Sequence, residues 1–262
     1  MPESVSGNLL DWANRFLQRH DLKRYIPFTG NLQVKRPSFQ AAGEQYLKMF
    51  IELGGLQTDE RVLDIGCGPG RMALPLKGYL GPAGSYVGID VVKSCVKGCE
   101  KRIASNAPNF SFEHMDIFNA RYNRHGSAPA SEYRFPFADG SFDFSILISV
   151  FTHMLRDDTY HYLDEITRLL APGGRCFATF FLYDEERLER ARRRDKGLKF
   201  EFVADGVLTE MENQPEYAVA YPREELLEKA RTSGLKVAQV SPGNWDGGVS
   251  ETEYQDIVIL EK

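Results

Sequence analysis

The stretch Arg61-Val62-Leu63-Asp64-Ile65-Gly66-Cys67-Gly68-Pro69-Gly70 constrains this chain more than any other. Arg61 to Ile65 has the apolar content of a short buried strand, and a helical segment is expected from Arg71 to Leu80. Between them lies a loop of alternating glycines. Glycine lets a backbone pass close to a ligand with no Cβ in the way. A loop that feeds a helix start also offers free N–H groups to an anionic group. A tight strand-to-helix turn would need similar residues, so the loop alone does not settle its use. Asp64, two residues before the first glycine, extends the pattern to acid-x-Gly-x-Gly-x-Gly. Gly68, Gly70 and Ala73 also satisfy G-x-G-x-x-A, a dinucleotide fingerprint. The choice between nucleotide ligands therefore falls to later residues.

The length of 262 residues suits one elaborated α/β domain, or two small ones, and 42% apolar residues suit a globular core. Net charge is −5 with both signs mixed along the chain, which calls for neither nucleic acid nor an acidic membrane surface. No signal pattern opens the sequence and no apolar run is long enough for a bilayer, so a cytoplasmic protein is expected. Cys67, Cys95, Cys99 and Cys176 form no CxxC pair and have no histidine cluster beside them, which favours reduced thiols over a metal site.

Before the loop, Leu9, Ala13, Phe16 and Leu17 recur at helical spacing, and Tyr25 to Pro37 has the prolines and glycine of a loop. A helix is expected from about Ser38, with Phe39, Ala42, Tyr46, Met49, Phe50 and Leu53 on one stripe. Residues 1–55 are expected to form an N-terminal helical lid, with Tyr25, Phe28, Lys35, Arg36 and Phe39 toward substrate; simple packing on the sheet is the other reading. Residues 56–262 form the main domain. Strands are expected at Ser85 to Asp90, Phe110 to Asp116, Phe142 to Val150, Arg175 to Leu182, Lys236 to Ser241 and Tyr254 to Glu261. Helices are expected from Lys93 to Ser105, from about Asp157 as cap to the Ala171-Pro172-Gly173-Gly174 stop, and from Pro222 to about Ser233. Residues 117–136 have the composition of an inserted loop, and 184–220 that of a substrate-side segment. The latter opens on a charge-dense solvated helical face, 184–196, followed by irregular or extended chain. Asp90 and Asp116 fall 26 and 52 residues after Asp64, a regular spacing that suggests successive βα units meeting at one sheet edge, where ligands of open α/β sheets bind.

Together these residues resemble the class I S-adenosylmethionine-dependent methyltransferases, over about Arg61 to Leu182 and in the C-terminal helix and strands. The carrying motifs are Val62 to Gly70, Val87-Gly88-Ile89-Asp90 and Met115-Asp116. With them go Phe135-Pro136-Phe137-Ala138-Asp139-Gly140-Ser141-Phe142-Asp143, Leu170 to Gly174 and Tyr254 to Val258. The run Ser149-Val150-Phe151-Thr152-His153 looks most like the bacterial small-molecule branch. The resemblance implies an α/β, Rossmann-like sheet of seven strands in the order 3-2-1-4-5-7-6, strand 7 antiparallel, with S-adenosylmethionine as cofactor. It places Gly66, Cys67, Gly68 and Gly70 at the amino-acid end of that cofactor, with Asp64 orienting the loop. Asp90 then suits the ribose hydroxyls and Asp116 the adenine amino group. Val91 and Ile117 suit the ring, and Ser149 and Val150 the sulfonium. For Asp90 and Asp116 a helix-capping role is the alternative.

Transfer of an activated methyl needs alignment, and an oxygen acceptor also needs its proton removed. His153 is the candidate base, or else a histidine that only bonds within its turn. His153, Asp157 and His161 would suit a metal only on one continuous helix, and a helix starting near Asp157 leaves His153 outside it. The Asn/Asp-Pro-Pro-aromatic signature of amino-group transfer is absent after strand four. The expected activity is therefore methylation of a small molecule at a hydroxyl oxygen, with no nucleic-acid or membrane partner and a possible homodimer. A small amine acceptor, an NAD(P)-dependent oxidoreductase and a cofactor-binding module without catalysis are the alternatives.

Overall fold

A computed structural model of the protein describes residues 36–249 and 253–262. Its centre is β1 (Arg61–Ile65), which pairs in parallel with β2 (Ser85–Asp90) on one side and β4 (Phe142–Leu147) on the other. Four of its five residues are buried, as a central parallel strand covered on both faces requires. With β3 (Phe110–His114), β5 (Leu170–Phe180), β10 (Lys236–Ser241) and β11 (Asp256–Glu261), it forms a seven-stranded sheet of order β3-β2-β1-β4-β5-β11-β10. β11 runs antiparallel to both of its neighbours. This is the expected strand order, with β10 and β11 standing as the anticipated strands six and seven.

Helices cover both faces because alternate side chains of each strand point to opposite sides. One face holds α1 (Arg36–Glu52), α2 (Ala73–Tyr79) and α3 (Lys93–Arg102), packed through Phe50, Leu76, Val96 and Cys99. The other holds α4 (Arg156–Leu169) and α6 (Arg223–Thr232), packed through Leu163, Ile166, Leu226 and Leu227. Phe50 meets Phe144 and Phe177 of the sheet edge-on, with centroids 6.0 and 4.9 Å away. α1 also lies against the chain after the glycine loop: a Cβ on Gly43 would fall 2.6 Å from the Arg71 carbonyl oxygen. This part of the anticipated lid thus packs on both sheet and loop. The helix anticipated around Leu9 to Leu17, and the residues Tyr25, Phe28 and Lys35, lie outside the described residues.

Several element ends differ from the sequence expectation. α2 starts at Ala73, two residues late, after turns at 68–72. β3 stops at His114, and the Met115 N–H makes the last ladder bond to the Asp90 carbonyl. β4 stops at Leu147 and a single 3-10 turn, Phe151–His153, follows. β5 starts at Leu170, running through the anticipated Pro-Gly-Gly stop, and β11 starts at Asp256. Asp157 is not the cap of α4. The helix starts at Arg156, and the Asp157 N–H is itself received by the Asp205 carboxylate at 3.0 Å.

Residues 200–220, anticipated as irregular or extended, form part of a second sheet of order β6-β9-β8-β7. Its strands are β6 (Leu182–Tyr183), β7 (Phe202–Ala204), β8 (Val207–Thr209) and β9 (Val219–Pro222). Asp205 and Gly206, with φ of 48° and 71°, turn the β7–β8 hairpin as a two-residue loop with both φ positive does.

The charge-dense helix α5 (Glu185–Arg192) is not a wholly solvated face. Asp184 caps it, accepting from the Arg187 N–H at 2.9 Å. The Arg187 guanidinium is buried, donating to Asp256 at 2.7 Å, to Asp246 at 3.0 Å and to the Gly243 carbonyl at 3.0 Å. It also stands 4.9 Å from the Trp245 ring centroid. Sequence spacing hid this because the two acids lie 59 and 69 residues away. Removing one member of a buried ion pair strands the other charge, at a cost of about 3–5 kcal/mol. Arg187→Ala should therefore lower unfolding stability by that much in urea titration. A loss below about 1 kcal/mol, as for an exposed arginine, would contradict the buried network.

Candidate functional site

The C-terminal ends of β1, β2 and β4 converge on the glycine loop. The N–H groups of Gly66 and Cys67 donate to the Ile89 carbonyl at 2.8 and 3.0 Å, which ties the loop to the end of β2. The Gly68 N–H donates to Asp90 Oδ2 at 2.7 Å, while Oδ1 accepts from the Val92 N–H at 2.7 Å. One carboxylate thus holds two loops, with one oxygen on each. It is not the side-chain cap of α3, whose N-cap is Val92 without such a bond. Burial raises the Asp90 pKa, and the N–H groups of Val92 and Gly68 pull it back.

The first two glycines serve different ends. Gly66 has φ of 78°, and a Cβ there would lie 2.6 Å from Val150 Cγ2, so the loop and the strand-four exit are in contact. Gly68 has φ of 52°, and its Cβ would meet nothing within 4 Å, so the loop faces open space there. Behind it, the Cys67 and Cys99 thiols both reach the Gly68 carbonyl, at 3.7 and 3.5 Å. All four cysteines are free.

Asp64 lies beneath the loop, at 1% exposure, and accepts from the Tyr86 hydroxyl at 2.5 Å. Burial pushes its pKa from the usual 3.8 up to about 7, against the downward pull of the Tyr86 hydrogen bond. Asp116 is exposed beyond the end of β3. Hydrogen bonds from Ser127 and then Asn123 hold its pKa below the usual range, so its carboxylate fastens the base of the inserted loop. Ile117 is packed in the core at 2% exposure, while Val91 is half-buried beside it.

At the exit of β4, Ser149 takes φ of 58°, a left-handed conformation costly for a residue with a Cβ. Its N–H donates to Thr179 Oγ1 at 2.8 Å and its hydroxyl to Gln255 Oε1 at 3.0 Å, which hold it there. His153 follows on the 3-10 turn. Its Nδ1 lies 3.1 Å from the Glu216 carbonyl oxygen. A carbonyl can only accept, so Nδ1 carries the hydrogen and the neutral ring keeps a lone pair on Nε2. Burial lowers the His153 pKa below 6.5, the Glu216 hydrogen bond opposes this, and the charge of Arg121 adds to it. The ring meets Tyr122 of the inserted loop edge-on, centroids 5.9 Å apart. His161, one of the residues weighed as a metal ligand, has its Nε2 2.9 Å from the Tyr133 carbonyl.

The structure thus gathers Gly66, Cys67, Gly68, Asp90, Ser149, Val150 and His153 past the C-terminal ends of β1, β2 and β4, with Asp64 buried under the loop and Asp116 exposed past the end of β3. Sequence reasoning missed Tyr122, Glu216, Tyr217 and Thr179. It quoted Gln255 only inside a strand motif. Asn119 and Asn123, spaced to close a turn around Tyr122, were the available signal for that loop.

Residues 62–174 match the methyltransferase domain family. The chain is 30% identical over 138 residues to an arsenite methyltransferase of Aquipseudomonas alcaligenes, covering 53% of this chain and 37% of that protein. It is 27% identical over 177 residues to a tRNA N(3)-cytidine methyltransferase of Gallus gallus, covering 63% and 42%. The chain therefore spans well under half the length of these curated relatives. Its fold is similar to that of the 1,6-didemethyltoxoflavin-N1-methyltransferase of Burkholderia thailandensis, solved with S-adenosylhomocysteine. The TM-score is 0.54, at 15% identity, over 100% of this chain and 92% of that one.

The shift of Asp64 has a consequence for stability. A buried acid whose folded pKa exceeds its unfolded value binds more protons when folded, so its stabilising contribution is full below about 3.8 and is lost as pH rises toward about 7. Asp64→Asn, which does not titrate, should remove that slope. Thermal unfolding across this window should show the variant gaining on the wild type as pH rises; parallel curves would contradict a raised Asp64 pKa.

Proposed function

We propose, from the premise that this chain belongs to the class I S-adenosylmethionine-dependent methyltransferases, that it methylates a hydroxyl oxygen of a small molecule. The observation that carries this reading is the meeting of the glycine loop with the strand-four exit. There Val150 touches Gly66, and the Glu216 carbonyl holds the His153 ring at Nδ1. The donor set fits the cofactor. Gly68 faces open space, and each Asp90 oxygen retains a lone pair after its backbone hydrogen bond.

In this reading the backbone of Gly66, Cys67, Gly68 and Gly70 receives the amino-acid end, with Asp64 supporting the loop from below. Asp90 accepts from the ribose hydroxyls, Asp116 from the adenine amino group, and Val91 and Ile117 form the apolar wall at the ring. Ser149 and Val150 border the sulfur. The bound cofactor would supply an electrophilic methyl on a sulfonium, and the acceptor oxygen taking it would have to lose its hydroxyl proton. His153 Nε2 takes that proton, and its lowered pKa keeps the ring neutral and able to do so at neutral pH. Residues 36–52, lying on the sheet and the loop, are the described part of the proposed N-terminal cover over the domain from 56 onward. The net charge of −5 and the Ser-Val-Phe-Thr sequence after β4 support a small acceptor and not a polyanion.

Calorimetry should show S-adenosylhomocysteine binding and no tight binding of NAD. Asp90→Ala should weaken the former by about 2–4 kcal/mol, the worth of two hydrogen bonds to a charged acceptor after water replaces them in part. An unchanged dissociation constant in a folded variant would leave Asp90 as a loop brace alone.

His153→Ala should cut turnover on a hydroxyl acceptor by about 10²–10⁴-fold, with cofactor affinity nearly intact. The wild-type rate should fall as pH drops through a pKa below 6.5, since only the neutral ring accepts a proton. Near-normal turnover in the variant, with no acid limb in the wild type, would leave alignment alone to explain the rate.

A further inference from the structure

We infer that the acceptor carries a carboxylate and that Arg121, at the tip of the inserted loop, receives it; this rests on the methyl-transfer reading of the same cleft. The tip is a built structure. Asn119 and Asn123 exchange backbone hydrogen bonds of 3.1 and 3.0 Å, and Asn119 Oδ1 accepts the N–H groups of Arg121 and Tyr122 at 3.0 and 2.9 Å. Asn123 Nδ2 fastens the turn to the Ile117 carbonyl at 2.9 Å. This holds Tyr122 against the His153 ring and Arg121 over Tyr122.

The guanidinium of Arg121 lies over two rings, 5.3 Å from the Tyr122 centroid and 4.9 Å from that of Tyr217. Rings facing a guanidinium occupy its faces and leave its in-plane N–H donors free. One of those donors reaches the Tyr217 carbonyl at a long 3.4 Å. Glu216, five residues before Tyr221 of the second sheet, receives the Ala120 N–H on its carboxylate at 2.9 Å. Among the described residues Arg121 has no ion pair. A planar cation with free donors, oriented by two aromatic rings beside the proposed base, matches the fork geometry of a carboxylate. Tyr122 and Tyr217, both partly exposed, add apolar surface for the body of an aromatic acceptor. The same cation disfavours protonation of His153, so anion recognition and a neutral base are served by one side chain.

The test uses the full chain, labelled S-adenosylmethionine and a matched panel of hydroxybenzoates and hydroxybenzamides, with binding of each pair to the S-adenosylhomocysteine-loaded protein followed by ligand-observed NMR. The wild type should prefer the acids in turnover or, where turnover is absent, in binding. Arg121→Gln should weaken the acids by about 10–100-fold in KM or Kd, with kcat much less affected and the amides weakened far less. Arg121→Lys should recover part of that loss, since a point charge replaces the fork. No preference for acids in the wild type, or an equal loss on acids and amides in Arg121→Gln, would overturn the proposal. Failure of S-adenosylhomocysteine itself to bind would instead remove the methyl-transfer reading, and this inference with it.

Discussion

The cleft depends on the Asp90 carboxylate, which accepts one backbone N–H from each of two loops. Burying a carboxylate is unfavourable, and its raised pKa records that cost. Hydrogen bonds to a charged acceptor, worth about 1.5–3 kcal/mol each, offset it. The result is a glycine loop held against the end of β2 by Asp90 and by the Ile89 carbonyl together. With the loop fixed, Gly66 can touch Val150, and the ends of β1, β2 and β4 become one site. Asp64 supports the arrangement from beneath, where Tyr86 satisfies its buried oxygen.

The region after β4 is held by different means. The second sheet is tied to the region after β4 by the buried Tyr221 hydroxyl, which donates to the Met154 carbonyl at 2.6 Å and meets Thr159 at 2.7 Å. Asp205 of its hairpin caps α4 from 48 residues away. Glu216, just before β9, sets the tautomer of His153 through its carbonyl and fixes the inserted loop through its carboxylate. Opposite, Asp256 gathers the N–H groups of Leu182, Gly243 and Trp245 with the Arg187 guanidinium, which locks α5 to the start of β11. Strained Ser149 sits between these two assemblies. Its left-handed backbone is tolerable because Thr179 of β5 and Gln255, just before β11, both bind it.

The sequence by itself determined the parts governed by local pattern. β1 and β2 start and stop where their apolar runs do, because a strand covered on both faces needs such a run and a following acid or glycine ends it. The acid-glycine motif placed Asp64, Gly66, Gly68 and Asp90 along one sheet edge, since parallel strands joined by helices present equivalent ends on the same side. The tertiary structure decided what depends on distant partners. Arg187 was legible as a charged helical residue, but its burial needs Asp246 and Asp256. His153 was legible as a histidine after strand four, but its tautomer needs Glu216. Asp205 and Gly206 carried a hairpin signal in two letters, yet the strands they join are three residues each, too short for periodicity to reveal. Hydrogen bonds and ion pairs between residues 48 to 69 positions apart leave no repeat in the chain, so only folding brings them into view.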